Sequence, residues 1–246
     1  DLPVGLMRRT REWGERETLY VHPRTVVLDR VTTGLLRDLD GVSSDRLAAD
    51  DVAFHALRPY ERGDDRRAVH WRSTARTGTL MVRQYEETRR WHVGIGLSTA
   101  AGDYADADKF ETAVSVAGSL GLTALTDSRS LTVLTQRRGL RTGSPRLLLD
   151  QLSGVETDPT RRDVVALASD LAVEAPGVSL VVLVVGSTVD VSRLKTAHNR
   201  VPVGTTCIAV RVRPGETPTR GKLGDLLVVS VENLADLPRA LRGALG

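Results

Sequence analysis

The sequence predicts an α/β protein in which a doubly wound parallel sheet is preceded by a smaller β-rich segment. All nine aromatic residues lie in the first 110 positions, whereas the remainder draws its apolar residues from Leu, Val, Ile and Ala. From Trp91 onward, apolar segments of strand length alternate with amphipathic segments of helix length, as in a parallel sheet with helical crossovers. We therefore expect a β-rich segment at residues 1–90 and an α/β domain at residues 91–246.

The α/β domain opens with a strand at residues 91–98, where apolar residues recur at period two. Gly94 and Gly96 lie inside it and are expected to allow close packing against a helix. The run at residues 178–185 is apolar except for one serine, which predicts a strand buried on both faces of the sheet. Further strands are predicted at residues 130–135, 205–211 and 226–231.

Helices are predicted between these strands from their caps and their apolar periodicity. Asp108 with Glu111 resembles a capping box, and Ser144 before Pro145 is an N-cap followed by proline at the first helical position. The remaining predicted helices start at Thr160, at Asp190 and near Asn233, ending respectively at Pro176–Gly177, at His198 and at the end of the chain.

The first 90 residues are less regular. Strands are predicted at Leu19–Leu28, Val52–Tyr60 and Leu80–Glu87, and a short helix at Arg30–Asp40. These elements are expected to form a small β-rich unit.

Composition excludes several functional classes. A single cysteine, Cys207, excludes an internal disulfide framework and a thiolate zinc site. The five histidines are scattered without a metal-binding spacing. Arginine and lysine number 34 against 31 acidic residues, which indicates a mixed surface rather than a nucleic-acid stripe. No apolar run approaches the roughly 20 residues that a membrane-spanning helix needs.

The most distinctive stretch is residues 58–87. A turn at Gly63–Asp65 follows the second predicted strand, and we expect its acids to pair with the arginines behind it. Trp71 is expected to anchor the segment through apolar contacts. The stretch can be a structural clasp or a docking surface for a partner, and the two roles are compatible.

This stretch resembles the bacterial domain-of-unknown-function family fifty-eight, whose pattern is R-x-Y-x-x-G-D-x-x-R-x-[apolar]-x-W-x-x-x-A-R. The positions on the pattern are Arg58, Tyr60, Gly63, Asp64, Arg67, Val69, Trp71, Ala75 and Arg76. The resemblance implies a von Willebrand factor A-like domain over residues 91–246 and an upstream membrane anchor. It also implies a location at the cytoplasmic face of the bacterial inner membrane and a MoxR-type AAA+ ATPase as partner. The chain itself is expected to be a soluble fragment.

Von Willebrand A domains carry a metal-ion-dependent adhesion site, D-x-S-x-S after the first strand, with a threonine from a later loop and a further aspartate. Here Gly96 and Ala100 replace two of these ligands and only Ser98 fits. Gly186–Thr188 stands where the further aspartate is expected, and the threonine loop offers Thr142 or Ser144. Without a carboxylate among its ligands a divalent cation binds poorly, so we expect no metal and no cofactor.

The sequence therefore predicts a non-enzymatic protein-interaction module with a degenerate metal site. No G-x-S-x-G or Walker A motif supports catalysis. One alternative is a divalent-metal-dependent adhesion-type binder, and another is an arginine-rich nucleic-acid-binding protein. The residues expected to bind a partner are Arg58, Tyr60, Asp64, Arg67, Trp71 and Arg76 in the family signature, and Ser98, Asp103, Ser144 and Ser187 at the loop-bearing edge of the sheet.

Overall fold

The computed structural model describes residues 19–28, 52–61, 64, 69–87, 91–159, 162–215 and 217–242. The protein is α/β, with a seven-stranded, mostly parallel sheet flanked by helices and a separate two-stranded antiparallel sheet. No helix among the described residues is both long and apolar enough to span a membrane. The helix predicted at 30–40 lies outside the described residues.

The small sheet is a hairpin of β1 (Val52–Pro59) and β2 (Met81–Glu87), which confirms two of the strands predicted before residue 90. A short helix, α1 (Trp71–Thr77), is inserted between them. It is held by hydrogen bonds rather than burial. The Met81 amide donates to Thr74 Oγ1 at 3.0 Å, and Gly78 ends the helix in the left-handed conformation at φ 70°.

The strands of the large sheet are β3 (His92–Leu97), β4 (Ser130–Thr135), β5 (Gly139–Leu140), β6 (Leu180–Gly186), β7 (Thr206–Val212), β8 (Thr219–Leu223) and β9 (Leu226–Val231). Their order across the sheet is β5-β4-β3-β6-β7-β9-β8. The five inner strands are parallel, whereas β5 and β8 pair antiparallel with their neighbours at the two edges. The five strands predicted in the α/β domain are all present.

The short edge strands were not anticipated from the sequence. Residues 139–140 are too few to show a period, and β8 is polar and mostly exposed, so neither carries the apolar pattern that reveals a buried strand. The sequence predicts a parallel sheet, and this is wrong for the two outermost strands, because β5 and β8 run antiparallel to their neighbours.

In the part of the chain that the structure describes, five helices flank this sheet. Three pack on one face: α2 (Ala107–Thr126), α3 (Pro145–Ser153) and α6 (Leu237–Arg242). Two pack on the other: α4 (Val164–Glu174) and α5 (Val191–His198). All seven residues of β6 are buried between the two layers, as its apolar run predicts.

Close packing of α4 on β3 depends on the two glycines of that strand. A Cβ on Gly94 would lie 3.2 Å from Leu171, and one on Gly96 would lie 3.0 Å from the same leucine. The expectation that these glycines permit helix–strand contact is confirmed.

Two of the predicted helix starts are corrected. The side chain of Asp106, not Asp108, accepts the capping bond of α2 from the Lys109 amide at 2.8 Å. Asp163 caps α4, whereas the predicted cap Thr160 lies outside the described residues. In both helices the side chain of an aspartate accepts from free amides of the first turn.

The segment predicted as a strand at Leu19–Leu28 is extended but joins no sheet within the described residues. We call residues 19–28 the strap, because they lie against α2 and α3. The Val26 amide donates to Ser119 Oγ at 3.0 Å, His22 Nε2 lies 2.7 Å from Asp150 Oδ1, and Leu28 is buried in the core. Within the described residues, this extended segment therefore contacts helices and pairs with no strand.

Candidate functional site

The centre of the sheet brings the ends of β3 and β6 side by side. The two strands are parallel neighbours, and the helices that follow them, α2 and α5, pack on opposite faces of the sheet. In open α/β sheets such a reversal leaves a crevice outside the carboxyl ends of the strands, where ligands bind. The loops after β3, β4 and β6 meet at this position.

A buried network of polar side chains fills this position. We call it the rim network and define it as Ser98, Thr99, Asp103, Tyr104 and Gln136. Ser98 Oγ donates to Asp103 Oδ2 at 2.5 Å and accepts from Gln136 Nε2 at 2.7 Å. The Ser98 hydroxyl therefore has both a donor and an acceptor within the protein.

The other atoms of the rim network are also satisfied. Gln136 Oε1 accepts from the Thr99 amide at 2.6 Å and from Thr99 Oγ1 at 3.0 Å, and the Tyr104 hydroxyl donates to the Ser98 carbonyl at 2.6 Å. Ser98, Thr99 and Gln136 are at most 4% exposed. Buried polar groups that are all paired fix one conformation of the loops that carry them.

The loop after β6 is shaped to accept the turn that carries Asp103. A Cβ on Gly186 would lie 1.9 Å from the carbonyl oxygen of Asp103, so only glycine leaves room for that backbone. Thr188 then fastens the turn: its amide donates to the Asp103 carbonyl at 3.2 Å and its hydroxyl to the Gly102 carbonyl at 2.5 Å. Residues 101–103 consequently lie across the end of β6.

Burial governs the electrostatics of the network. It raises the pKa of Asp103; the hydrogen bond from Ser98 opposes this shift, and the nearby charge of Asp163 adds to it. Burial also raises the pKa of Tyr104 well above its usual value. Both shifts favour the neutral form of the group relative to its ordinary titration.

Ion pairs surround the rim network. Arg137 Nε lies 3.0 Å from Asp158 Oδ2, and Arg193 pairs with Asp163. The described residues contain no group of three or more histidine, cysteine or acidic side chains placed to hold a metal ion.

The structure brings together three of the four residues predicted at this edge. Ser98 and Asp103 are bonded to each other, and Ser187 follows β6 with its carbonyl accepting from Arg211 at 2.9 Å. Ser144 is the exception. The chain turns back along β4, so that Thr142 Oγ1 bonds the Leu131 carbonyl near the opposite end of the strand.

Ser144 instead caps α3 by accepting from the Leu147 amide at 3.2 Å. Its predicted place at the edge was wrong because the sequence does not reveal the short antiparallel return strand β5. The same return removes Thr142 from the position expected for a metal-binding threonine.

The family signature divides into a bonded half and an exposed half. Arg58 and Asp64 form a two-pronged pair, with nitrogen–oxygen distances of 2.8 and 2.6 Å, which lowers the pKa of Asp64. The Tyr60 amide donates to the Leu80 carbonyl at 2.8 Å, and Val69 is buried in a bridge to Val82. This half joins β1 to β2.

The exposed half is α1. The Trp71 side chain is 68% exposed, and Arg76 is exposed in the last turn. The expectation that Trp71 anchors the segment apolarly is therefore wrong. Asp64 pairs with Arg58, which lies ahead of the turn. The arginines directly behind the turn, Arg66 and Arg67, lie outside the described residues, so pairing between them and the acids of the turn stays a prediction.

Sequence reasoning missed Gln136, Tyr104 and Gly186. The signal for Gln136 was its place directly after β4, at the strand end where functional loops gather. Gly186 was noticed only as a missing aspartate. No local pattern around Gly186 predicts that its missing side chain makes room for the backbone at Asp103, which lies 83 positions earlier in the chain.

The chain is similar to a known protein family. A family described as "Protein of unknown function DUF58" matches residues 56–223. No curated protein gives a significant match to the chain. Because the family match covers more than half of the chain and includes the second half of β1, all of β2 and the rim network, the protein belongs to the DUF58 family.

Proposed function

We propose that the protein is a non-enzymatic interaction module. In this proposal residues 91–246 form a von Willebrand A-like domain whose metal-ion-dependent adhesion site is degenerate. The edge of the sheet around the rim network then docks a protein partner without a cation.

The strand order supports the von Willebrand A-like assignment. Counted from β3 as the first strand of the domain, the second and third strands lie to one side and the later ones to the other, as in doubly wound folds. Ser98 follows that first strand directly, at the place where the family's metal-binding serines occur.

One observation carries the metal-independent reading: the Ser98 hydroxyl is buried and already bonded to both Asp103 and Gln136. The side-chain amide of Gln136 donates a hydrogen bond to the Ser98 hydroxyl oxygen, which is the atom that a bound cation would contact. A cation would have to displace this amide and recover its dehydration cost from few carboxylates.

The proposed partner is a MoxR-type AAA+ ATPase, which the family resemblance implies. The protein would act as a membrane-tethered adaptor for this ATPase in the maturation of other proteins. The paired charges around the rim network, such as Arg137 with Asp158, suit a polar docking surface that selects its partner by charge.

The test measures binding of the purified, nucleotide-free ATPase to the protein by biolayer interferometry, in magnesium and in EDTA. We expect micromolar or tighter binding that EDTA does not change. Arg137→Glu should weaken it about tenfold, because it reverses a charge beside the rim network. Arg141→Glu, at an exposed position directly after β5, is the matched control and should bind as the parent does.

Absence of binding by the parent protein would refute the adaptor proposal. Binding that disappears in EDTA, or a melting temperature raised by millimolar magnesium or manganese, would instead establish the metal-dependent alternative.

A further inference from the structure

The side chains of α1 present an apolar and cationic surface that the fold does not use. Trp71, Arg72, Ala75 and Arg76 are all exposed, whereas Ser73 and Thr74 face the hairpin and are half-buried. Residues four apart lie on the same side of a helix, with Cβ atoms about 6 Å apart. The exposed residues therefore form one continuous stripe, the Trp71 face, defined by Trp71, Arg72, Ala75 and Arg76.

The arginines of the Trp71 face have no carboxylate partner among the described residues, in contrast to Arg58, which is held by Asp64. Ala75 is small and leaves the space between the larger side chains open. A tryptophan with neighbouring arginines is the composition found at the energetic centre of protein interfaces.

The position of this face is fixed before any partner arrives. His70 Nδ1 accepts from the Ser73 amide at 3.2 Å at the start of α1, and the His70 amide donates to the Met81 carbonyl at 2.8 Å. Because backbone bonds rather than the exposed side chains hold α1, the Trp71 face can engage a partner without disturbing the hairpin. Preorganisation of this kind reduces the entropic cost of binding.

We propose that the Trp71 face is a docking surface for an acidic polypeptide segment of a protein partner. Carboxylates of the segment pair with Arg72 and Arg76, and an apolar or aromatic side chain packs on the Trp71 indole. This surface is additional to the edge of the sheet proposed above, and neither proposal requires the other.

A nucleic acid fits this surface less well. Among the described residues, two arginines without a carboxylate partner lie beside the tryptophan, whereas phosphate recognition draws its affinity from many cations along a track.

The test uses the protein labelled with 5-fluorotryptophan and observed by fluorine NMR, so that each tryptophan reports separately. The Trp71 resonance is assigned by its loss in Trp71→Phe. The acidic probe is a random copolymer of glutamate and tyrosine, which offers carboxylates and aromatic rings. A single-stranded DNA oligonucleotide of about 20 nucleotides is the competing probe, a length that covers the usual site sizes.

We expect the copolymer to shift the Trp71 resonance and leave the Trp91 resonance in place. The double variant Arg72→Glu with Arg76→Glu should weaken binding about tenfold, and Arg72→Gln with Arg76→Gln by less. The control reverses two exposed arginines elsewhere, Arg141→Glu with Arg200→Glu, and should bind as the parent does. An unchanged Trp91 resonance in each variant verifies that the α/β fold is intact.

Three results would overturn the inference. These are a Trp71 resonance that does not respond to the copolymer, equal affinity in the Arg72/Arg76 and Arg141/Arg200 variants, and tighter binding of DNA than of copolymer. The last result would assign the Trp71 face to nucleic acid. The ATPase is absent from this experiment, so its outcome is independent of the adaptor proposal.

Discussion

The rim network makes a quantitative prediction for Gln136→Ala. The substitution removes the acceptor of the backbone amide of Thr99, a residue that is 1% exposed, and the donor to Ser98. A buried donor left unsatisfied costs about 1–3 kcal/mol, and the lost methylene adds about 0.8 kcal/mol. We therefore expect the free energy of unfolding to fall by about 2–4 kcal/mol.

Urea unfolding followed by circular dichroism measures this change. Gln151→Ala is the matched control: it removes the same side chain from α3, where Gln151 makes no side-chain hydrogen bond to another described residue, and should change stability by less than about 0.5 kcal/mol. Equal effects of the two substitutions would show that the buried amide contributes nothing special and would refute the reasoning.

Gln136→Glu tests the hydrogen bond that the residue 136 side chain donates to Ser98 while keeping the oxygen that accepts from Thr99. A protonated glutamic acid can still donate to Ser98, whereas the ionised form cannot and would also repel the neighbouring Asp103 carboxylate. We expect this variant to resemble the parent near pH 4 and to lose stability as the pH rises. A pH-independent loss would contradict the assigned direction of the bond between Gln136 and Ser98.

Three further outcomes follow from the same geometry. Gly186→Ala should cost at least about 3 kcal/mol in urea unfolding, because its Cβ meets the Asp103 carbonyl, whereas Gly102→Ala has open space and should be near neutral. The pKa of Asp103 is raised in the folded state, so the stability that this group contributes is present below its ordinary value of 3.8 and is lost as pH rises through the folded pKa. The parent should therefore lose stability relative to Asp103→Asn between pH 4 and pH 7, and a constant difference would contradict this. Ser119→Ala removes the acceptor of the Val26 amide, so stability should fall by about 1 kcal/mol and hydrogen exchange at Val26 should accelerate; unchanged exchange would show that the strap is held without this bond.

Sequence patterns located most of the α/β domain because each element carries its own local signal. The run at 178–185 identified β6, since only a strand covered on both faces reads as continuously apolar. Ser144 and Pro145 marked the start of α3, and the structure places the cap there. The residues of β5 carried no such signal, and the misplacement of Ser144 at the sheet edge followed from that.

The strap shows a different kind of limit. Its residues have the composition of a strand, but extended backbone is equally suited to lie along helices. Whether it pairs or packs depends on which surfaces the rest of the chain leaves open. Here Ser119 supplies a hydrogen-bond acceptor on α2, and Leu28 enters the core beside it.

By itself the sequence determined the alternation of strands and helices, the glycines that let α4 approach β3, and the family signature. Each depends on residues close together in the chain. The tertiary structure alone decided that Gln136 would meet Ser98 across 38 positions and that Gly186 would admit the Asp103 turn. Parallel pairing of β3 with β4 and β6 gathers their carboxyl ends, and no local pattern encodes which polar side chains then complete one another's hydrogen bonds.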